Sequence, residues 1–206
     1  MNWINKLKQD LKIKLIGMQK ENICFVLIPK NAHLSMQYTL ENQGFKRGFI
    51  KNISGKMKYS AIIRDPVSKW ATGFATYLTN CVNNKVITEY NAYKIFNSWG
   101  CIDYIFKIIE FDIHTVKQRS IINQFVNQDI KLFDIKNLDP LIKYFNENGV
   151  NITGIDTAHI TENFDHEGFH YKIYKIINEF LFSHQAYCDL IKQYYSNDLK
   201  LYKGLQ

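Results

Sequence analysis

Two apolar runs, each broken by a turn and followed by a helical pattern, organise the first third of the chain. Ile23-Cys24-Phe25-Val26-Leu27-Ile28 is continuous and rich in β-branched residues, as expected of a strand buried on both faces of a parallel sheet. Pro29 ends it, because proline gives no donor to a ladder. From Ser35 the apolar positions Met36, Tyr38 and Leu40 suit a short amphipathic helix with Ser35 or His33 near its cap. The second run, Tyr59-Ser60-Ala61-Ile62-Ile63, predicts another strand. Arg64 and Asp65 form its turn, Pro66 takes the first helical position, and Val67 to Leu78 continues as helix.

Further along, Trp99 to Ile109, Gln118 to Val126, Asn137 to Asn146 and His184 to Tyr195 carry helical periodicity, and Lys131 to Ile135 reads as a strand. Gly149 is placed to close the third of these helices. Alternating strands and helices predict an α/β domain with a mainly parallel central sheet, its ligands lying beyond the carboxyl edge. With 206 residues and no Pro/Gly/Ser linker, the pattern predicts one domain over residues 1–206. Residues 1–20 are expected to be a helical extension, because Lys6, Lys8, Lys12 and Lys14 alternate with Leu7, Leu11, Ile13 and Leu15.

The turns carry the chemistry. The first turn of a helix exposes unpaired N–H groups at the positive end of its dipole and so attracts anions. Lys30 lies in one such turn. Arg64 lies in the other, in a chain whose arginines are confined to Arg47, Arg64 and Arg119. A guanidinium fork suits phosphate in a way that an ammonium does not. Lys69 and Thr72, on the following helix, are placed to join Arg64 around one phosphate. The Walker A pattern G-x-x-x-x-G-K-[ST] is absent, which argues against an ordinary nucleoside triphosphatase.

Together the two segments resemble the nucleotide-binding motifs of sulfotransferases that use 3′-phosphoadenosine 5′-phosphosulfate (PAPS), nearer the Golgi-type and bacterial carbohydrate enzymes than the cytosolic phenol enzymes. The family's I-P-K-T-A-x-T-S loop stands here as I-P-K-N-A-H-L-S, and its R-D-P-x-x-R-x-x-S-x-Y motif as R-D-P-V-S-K-W-A-T-G-F. Weaker echoes follow at Asp112 to Gln118, at Ile130 to Leu138 and at Tyr194 to Leu201. The resemblance implies a single three-layer domain of P-loop-NTPase-like sulfotransferase fold. It also implies transfer of a sulfuryl group from PAPS to a hydroxyl, on a carbohydrate by family preference, with adenosine 3′,5′-bisphosphate (PAP) as product and no metal.

On that resemblance Lys30 would stabilise the oxygen that bridges phosphate and sulfate, and Ser35 with the N–H groups of Asn31, Ala32, His33, Leu34 and Met36 would hold the 5′-phosphate. Arg64, Lys69 and Thr72 would hold the 3′-phosphate. A base must take the acceptor's proton. Between Met36 and Ile63 there is no histidine and Glu41 is the one carboxylate, so the candidates are His114, His33 and Glu41. His159, His166, His170 and His184 are further candidates for an acceptor groove. Departures in the loop and the missing inter-motif base motivate an alternative, a PAPS- or PAP-binding protein without turnover.

Net charge +7, carried chiefly by lysine, favours anionic partners. No nucleic-acid-binding signature supports the third reading, a basic nucleic-acid module. Cys24, Cys81, Cys101 and Cys188 lack C-x-x-C spacing, so neither a zinc site nor a redox pair is expected. No run is long enough to span a bilayer and no secretory leader is evident, which predicts a soluble cytoplasmic protein. Abundant Ile, Lys, Asn and Tyr suit an AT-rich genome such as a phage's, the protein then acting in the host cytoplasm.

Overall fold

The computed structural model describes residues 3–7, 9–51, 53–125, 127–155 and 168–206. In chain order it holds β1 (Ile16–Lys20), β2 (Ile23–Val26), α1 (His33–Glu41), β3 (Lys46–Phe49), β4 (Lys58–Ile63), α2 (Pro66–Asn83), α3 (Glu89–Lys94) and α4 (Trp99–Ile108). There follow α5 (Gln118–Ile122), β5 (Ile130–Asp134), α6 (Asp139–Glu147), α7 (Phe169–Ser183), α8 (Gln185–Tyr194) and α9 (Ser196–Lys203). This is an α/β protein with a five-stranded mixed sheet. Contacts group the chain into two compact units: residues 1–12, 66–116 and 164–196 form one, and residues 13–65, 117–163 and 197–206 the other.

The second unit holds the whole sheet, in the order β3-β1-β2-β4-β5. The predicted strands β2, β4 and β5 run parallel, with Phe25 beside Ser60 and Ile62 beside Phe133. On one face Phe25, Leu27, Ile62 and Phe133 pack with Met36 and Leu40 of α1 and Leu141 and Phe145 of α6. The alternate residues Cys24, Val26, Tyr59, Ala61 and Ile63 are also buried, and burial pushes the Cys24 thiol up to about 12. Strands buried on both faces account for the unbroken apolar runs.

The helical extension expected over residues 1–20 is not formed. Ile4–Lys6 is a single 3₁₀ turn, Asp10 bridges Asp112 in parallel, and Ile16–Lys20 is β1, antiparallel to both β2 and β3. The alternation Leu11-Lys12-Ile13-Lys14-Leu15 has a period of two, the strand period, and β1 turns into β2 through Glu21 at φ 51°. The expected helix starting at Gln118 gives way to a 3₁₀ turn at Asn123–Phe125, and α2 runs on past Leu78 to Asn83. Among the described residues no helix is long and apolar enough to cross a membrane.

The first unit is helical. Trp70 and Phe74 of α2 stack at 5.0 Å between ring centroids, and Phe106, Phe111 and Phe180 extend that aromatic core. The Trp70 indole N–H donates to Ile109 O at 2.9 Å, fixing the chain as it leaves α4. Gly73 lets residues 111–116 approach α2. A Cβ there would stand 2.3 Å from His114 O and 2.8 Å from its carbonyl carbon. Gly73→Ala is therefore expected to lower the thermal midpoint by roughly 2–12 °C, as overpacking against a backbone group does. Differential scanning fluorimetry checks this, and an unchanged midpoint would show that the turn yields freely.

Candidate functional site

At the end of β2 the Leu27 N–H donates to Ile16 O at 2.9 Å, and the Asn31 N–H closes a turn on Ile28 O at 3.2 Å. Lys30 (φ 68°) and Ala32 (φ 54°) are left-handed, a conformation that costs a non-glycine residue about 1–2 kcal/mol. Helix α1 begins at His33, with Ala32 at the cap position and no capping side chain. The cap expected of Ser35 or His33 is replaced by a different bond, Lys30 N–H to His33 Nδ1 at 3.2 Å.

The predicted loop residues separate by role. Lys30, Ala32 and His33 are half-buried, Leu34 is exposed and Ser35 is buried. Met36 is fully buried in the core beneath, and its N–H starts the helix ladder on Ala32 O at 2.9 Å. Asn31 turns inward: it is 1 % exposed, and its Nδ2 donates to Ile62 O at 2.8 Å and to Gln118 Oε1 at 2.5 Å. Asn31 Oδ1 is buried with no hydrogen-bond partner among the described residues.

Arg64 follows β4, the strand beside β2. Its N–H donates to Gln118 Oε1 at 2.9 Å, and its carbonyl accepts from Gln118 Nε2 at 2.8 Å. The side-chain amide stands where a neighbouring strand's peptide would, exchanging both ladder bonds with a residue just past the strand end. Reversing the amide would set its NH2 against the Arg64 N–H and the Asn31 Nδ2 donors, so the network fixes its orientation. The Arg64 guanidinium also donates from Nη1 to Lys30 O at 3.3 Å. Beneath this, Asp198 of α9 accepts the N–H of Gln118 at 2.7 Å and of Arg119 at 2.8 Å, holding the start of α5. Gln118 and Asp198 are each 1 % exposed. Both lie inside the weaker sequence echoes, where nothing in the residue pattern marked them as partners of the loop.

In the other unit His114 is paired with Asp112, Nδ1 to Oδ2 at 2.7 Å, while the His114 N–H donates to Asp112 Oδ1 at 2.9 Å. Their side chains are 22 % and 16 % exposed, so the imidazole is oriented and still reachable. The turn that carries it is densely tied. Thr115 Oγ1 accepts the N–H of Phe111 at 2.7 Å and of Asp112 at 3.1 Å, the Tyr195 hydroxyl donates to Thr115 O, and Lys69 Nζ donates to His114 O at 3.0 Å and Val116 O at 2.7 Å. Lys69 is 2 % exposed. Thr72 Oγ1 donates back to Ser68 O at 2.9 Å, as mid-helix threonines do.

Of the other base candidates, His33 accepts the Lys30 N–H at Nδ1, which puts the neutral ring's proton on Nε2. Glu41 is exposed in the last turn of α1, bonded by Gln37 Nε2 at 2.9 Å and about 12 Å along the axis from the loop. His170 Nε2 meets Thr76 Oγ1 at 3.0 Å, and His184 stacks on Phe180 with its Nδ1 at 2.9 Å from Phe180 O. His159 and His166 lie outside the described residues. Among those described, no group of three or more His, Cys, Asp or Glu side chains is placed to hold a metal. No protein-family profile, curated protein or solved structure matches the chain.

The two carbonyl bonds of buried Lys69 give it a structural task, whatever it does for a ligand. Lys69→Met would leave His114 O and Val116 O without that donor, at about 1–3 kcal/mol. The expected result is a thermal midpoint lower by roughly 2–12 °C. An unchanged midpoint together with a tenfold loss of nucleotide affinity would return Lys69 to the phosphate.

Proposed function

We propose that the protein binds PAPS and transfers its sulfuryl group to an acceptor hydroxyl. The observation that carries the reading is the pair of cation-bearing turns at the carboxyl ends of the adjacent parallel strands β2 and β4, joined through Gln118. This is where open α/β sheets take ligands, and two cationic turns suit a ligand with two anionic ends. Between Lys14 and Lys58 eight cations accompany two acids, Glu21 and Glu41, so this part of the chain attracts polyanions.

In the proposed reaction the acceptor oxygen attacks sulfur in line. An S–O bond forms, the bond from sulfur to the bridging oxygen breaks, and that oxygen leaves with the electron pair as part of the bisphosphate. Lys30 and the N–H groups at the start of α1 stabilise the charge growing on it. The acceptor's proton goes to a base, for which the family resemblance suggests His114. Asp112 holds the Nδ1 proton, leaving the Nε2 lone pair to accept. A carbohydrate acceptor rests on the family resemblance alone.

Binding without turnover is the second reading. It is favoured by the Lys30 N–H bond that occupies His33 Nδ1 and by the remote position of Glu41. Transfer of labelled sulfate from PAPS to a pool of hydroxyl acceptors, with release of PAP, separates the two.

Nucleotide binding is tested first. PAP is expected to bind at least tenfold tighter than adenosine 5′-monophosphate by calorimetry, and Arg64→Ala to remove most of that advantage, a loss of about 1.5–3 kcal/mol. Equal dissociation constants for the two nucleotides would sink the two-anion reading.

Chemistry is tested by turnover. Lys30→Ala should lower the transfer rate about 10²–10³-fold with a smaller change in PAP affinity, since the bridging charge develops only as the bond breaks. His114→Ala should slow the chemical step about 10²–10⁴-fold with PAP affinity kept. Asp112→Asn should slow it less. A native rate in folded His114→Ala would remove His114 as the base.

A further inference from the structure

The two turns are not independent, and we infer that Gln118 is a positioning residue that fixes the loop Lys30–Ser35 and the Arg64 turn as one rigid receptor for two anions. This rests on the proposed reading of the site as a nucleotide bisphosphate receptor and names the residue that sets its spacing.

Three observations carry it. First, one buried amide uses its acceptor oxygen on both turns at once, taking Asn31 Nδ2 and the Arg64 N–H, while its NH2 returns to Arg64 O. Both lone pairs of Oε1 are thereby filled, so no smaller or apolar side chain reproduces the bridge. Second, the loop contains features that do not persist unaided: left-handed Lys30 and Ala32, and the buried, unpartnered Asn31 Oδ1. Conformations of this kind survive where the surroundings over-determine them. Third, Gln118 is itself fixed at its backbone by the buried Asp198 carboxylate, so α9 supplies the base on which the bridge stands.

The consequence is a matter of linked binding. When two subsites are held at a set separation, the second phosphate of one molecule binds at high effective concentration and without a further ordering cost. If the turns move separately, each phosphate still finds its own donors, but the gain from joining them shrinks. Removing the bridge should therefore weaken a two-phosphate ligand far more than a one-phosphate ligand.

Gln118→Met keeps the side-chain length and removes all three hydrogen bonds. Calorimetry with PAP, adenosine 5′-monophosphate and adenosine 3′-monophosphate is expected to show PAP affinity falling at least tenfold and each monophosphate changing less than threefold. Hydrogen exchange on the ligand-free protein is expected to show the amides of Asn31 to Ser35 and of Arg64 and Asp65 losing protection together. Unchanged PAP affinity, or an equal fall for all three nucleotides, overturns the inference, as does faster exchange at one turn alone. If the parent protein binds PAP no better than the monophosphates, the nucleotide reading fails, and the exchange result alone decides whether Gln118 couples the turns. Should Gln118→Met not fold, Asp198→Asn, which weakens the support under Gln118 and keeps its amide, is put through the same measurements with the same criteria.

Discussion

The Gln118 side-chain amide is the interaction on which the candidate site depends. Parallel strands leave their last peptide groups without ladder partners where the chain turns away, and buried peptide groups need partners. At Arg64 the need is met by a side chain from a distant segment, which also takes the Asn31 amide from the turn after the neighbouring strand. One residue thus satisfies the end of β4 and anchors the loop after β2. The loop can then hold left-handed backbone at Lys30 and Ala32 without glycine.

Cations in this protein divide by environment. Lys30 and Arg64 are half-buried in strand-end turns, and the Arg64 guanidinium donates to Lys30 O. Lys69 is buried, and its ammonium lies on two backbone carbonyls of the turn that carries His114. A buried cation needs compensation from acceptors, and the carbonyls at His114 and Val116 provide some of it. The same turn is packed so closely on Gly73 that a methyl group would collide with it. The turn that carries the His114–Asp112 pair is consequently held rigidly.

The sequence made β2 and β4 legible because both of their faces are buried, giving runs such as Ile23 to Ile28 that no polar residue interrupts, whereas the edge strand β5 was read from a short stretch with Lys131 exposed and Phe133 buried. It obscured β1 and β3. Strand β3 is exposed along its length, so it carries no hydrophobic signature, and the lysine alternation before β1 can be drawn on a helix until its two-residue period is weighed. The two units were invisible for a different reason. The chain passes between them several times, at Lys12, Asp65, Val116 and Ser196, so no single linker marks a boundary. In the site, Lys30 and Arg64 were found from turn chemistry. Gln118 and Asp198 were not, because a glutamine that bonds backbone groups 54 residues away leaves no local pattern.

What a ligand would add follows from what the loop lacks. Left-handed Lys30 and Ala32 hold the turn in a costly conformation, and the start of α1 adds the positive potential of a helix dipole. An anion bound there relieves that potential without moving the backbone, because the bridge through Gln118 has already imposed the geometry. In the sulfuryl transfer proposed above, binding energy would then be available for the bond between sulfur and the bridging oxygen, rather than for ordering the receptor. On that reading the site would gain its effect from rigidity, and the residues that supply the rigidity need not touch the ligand.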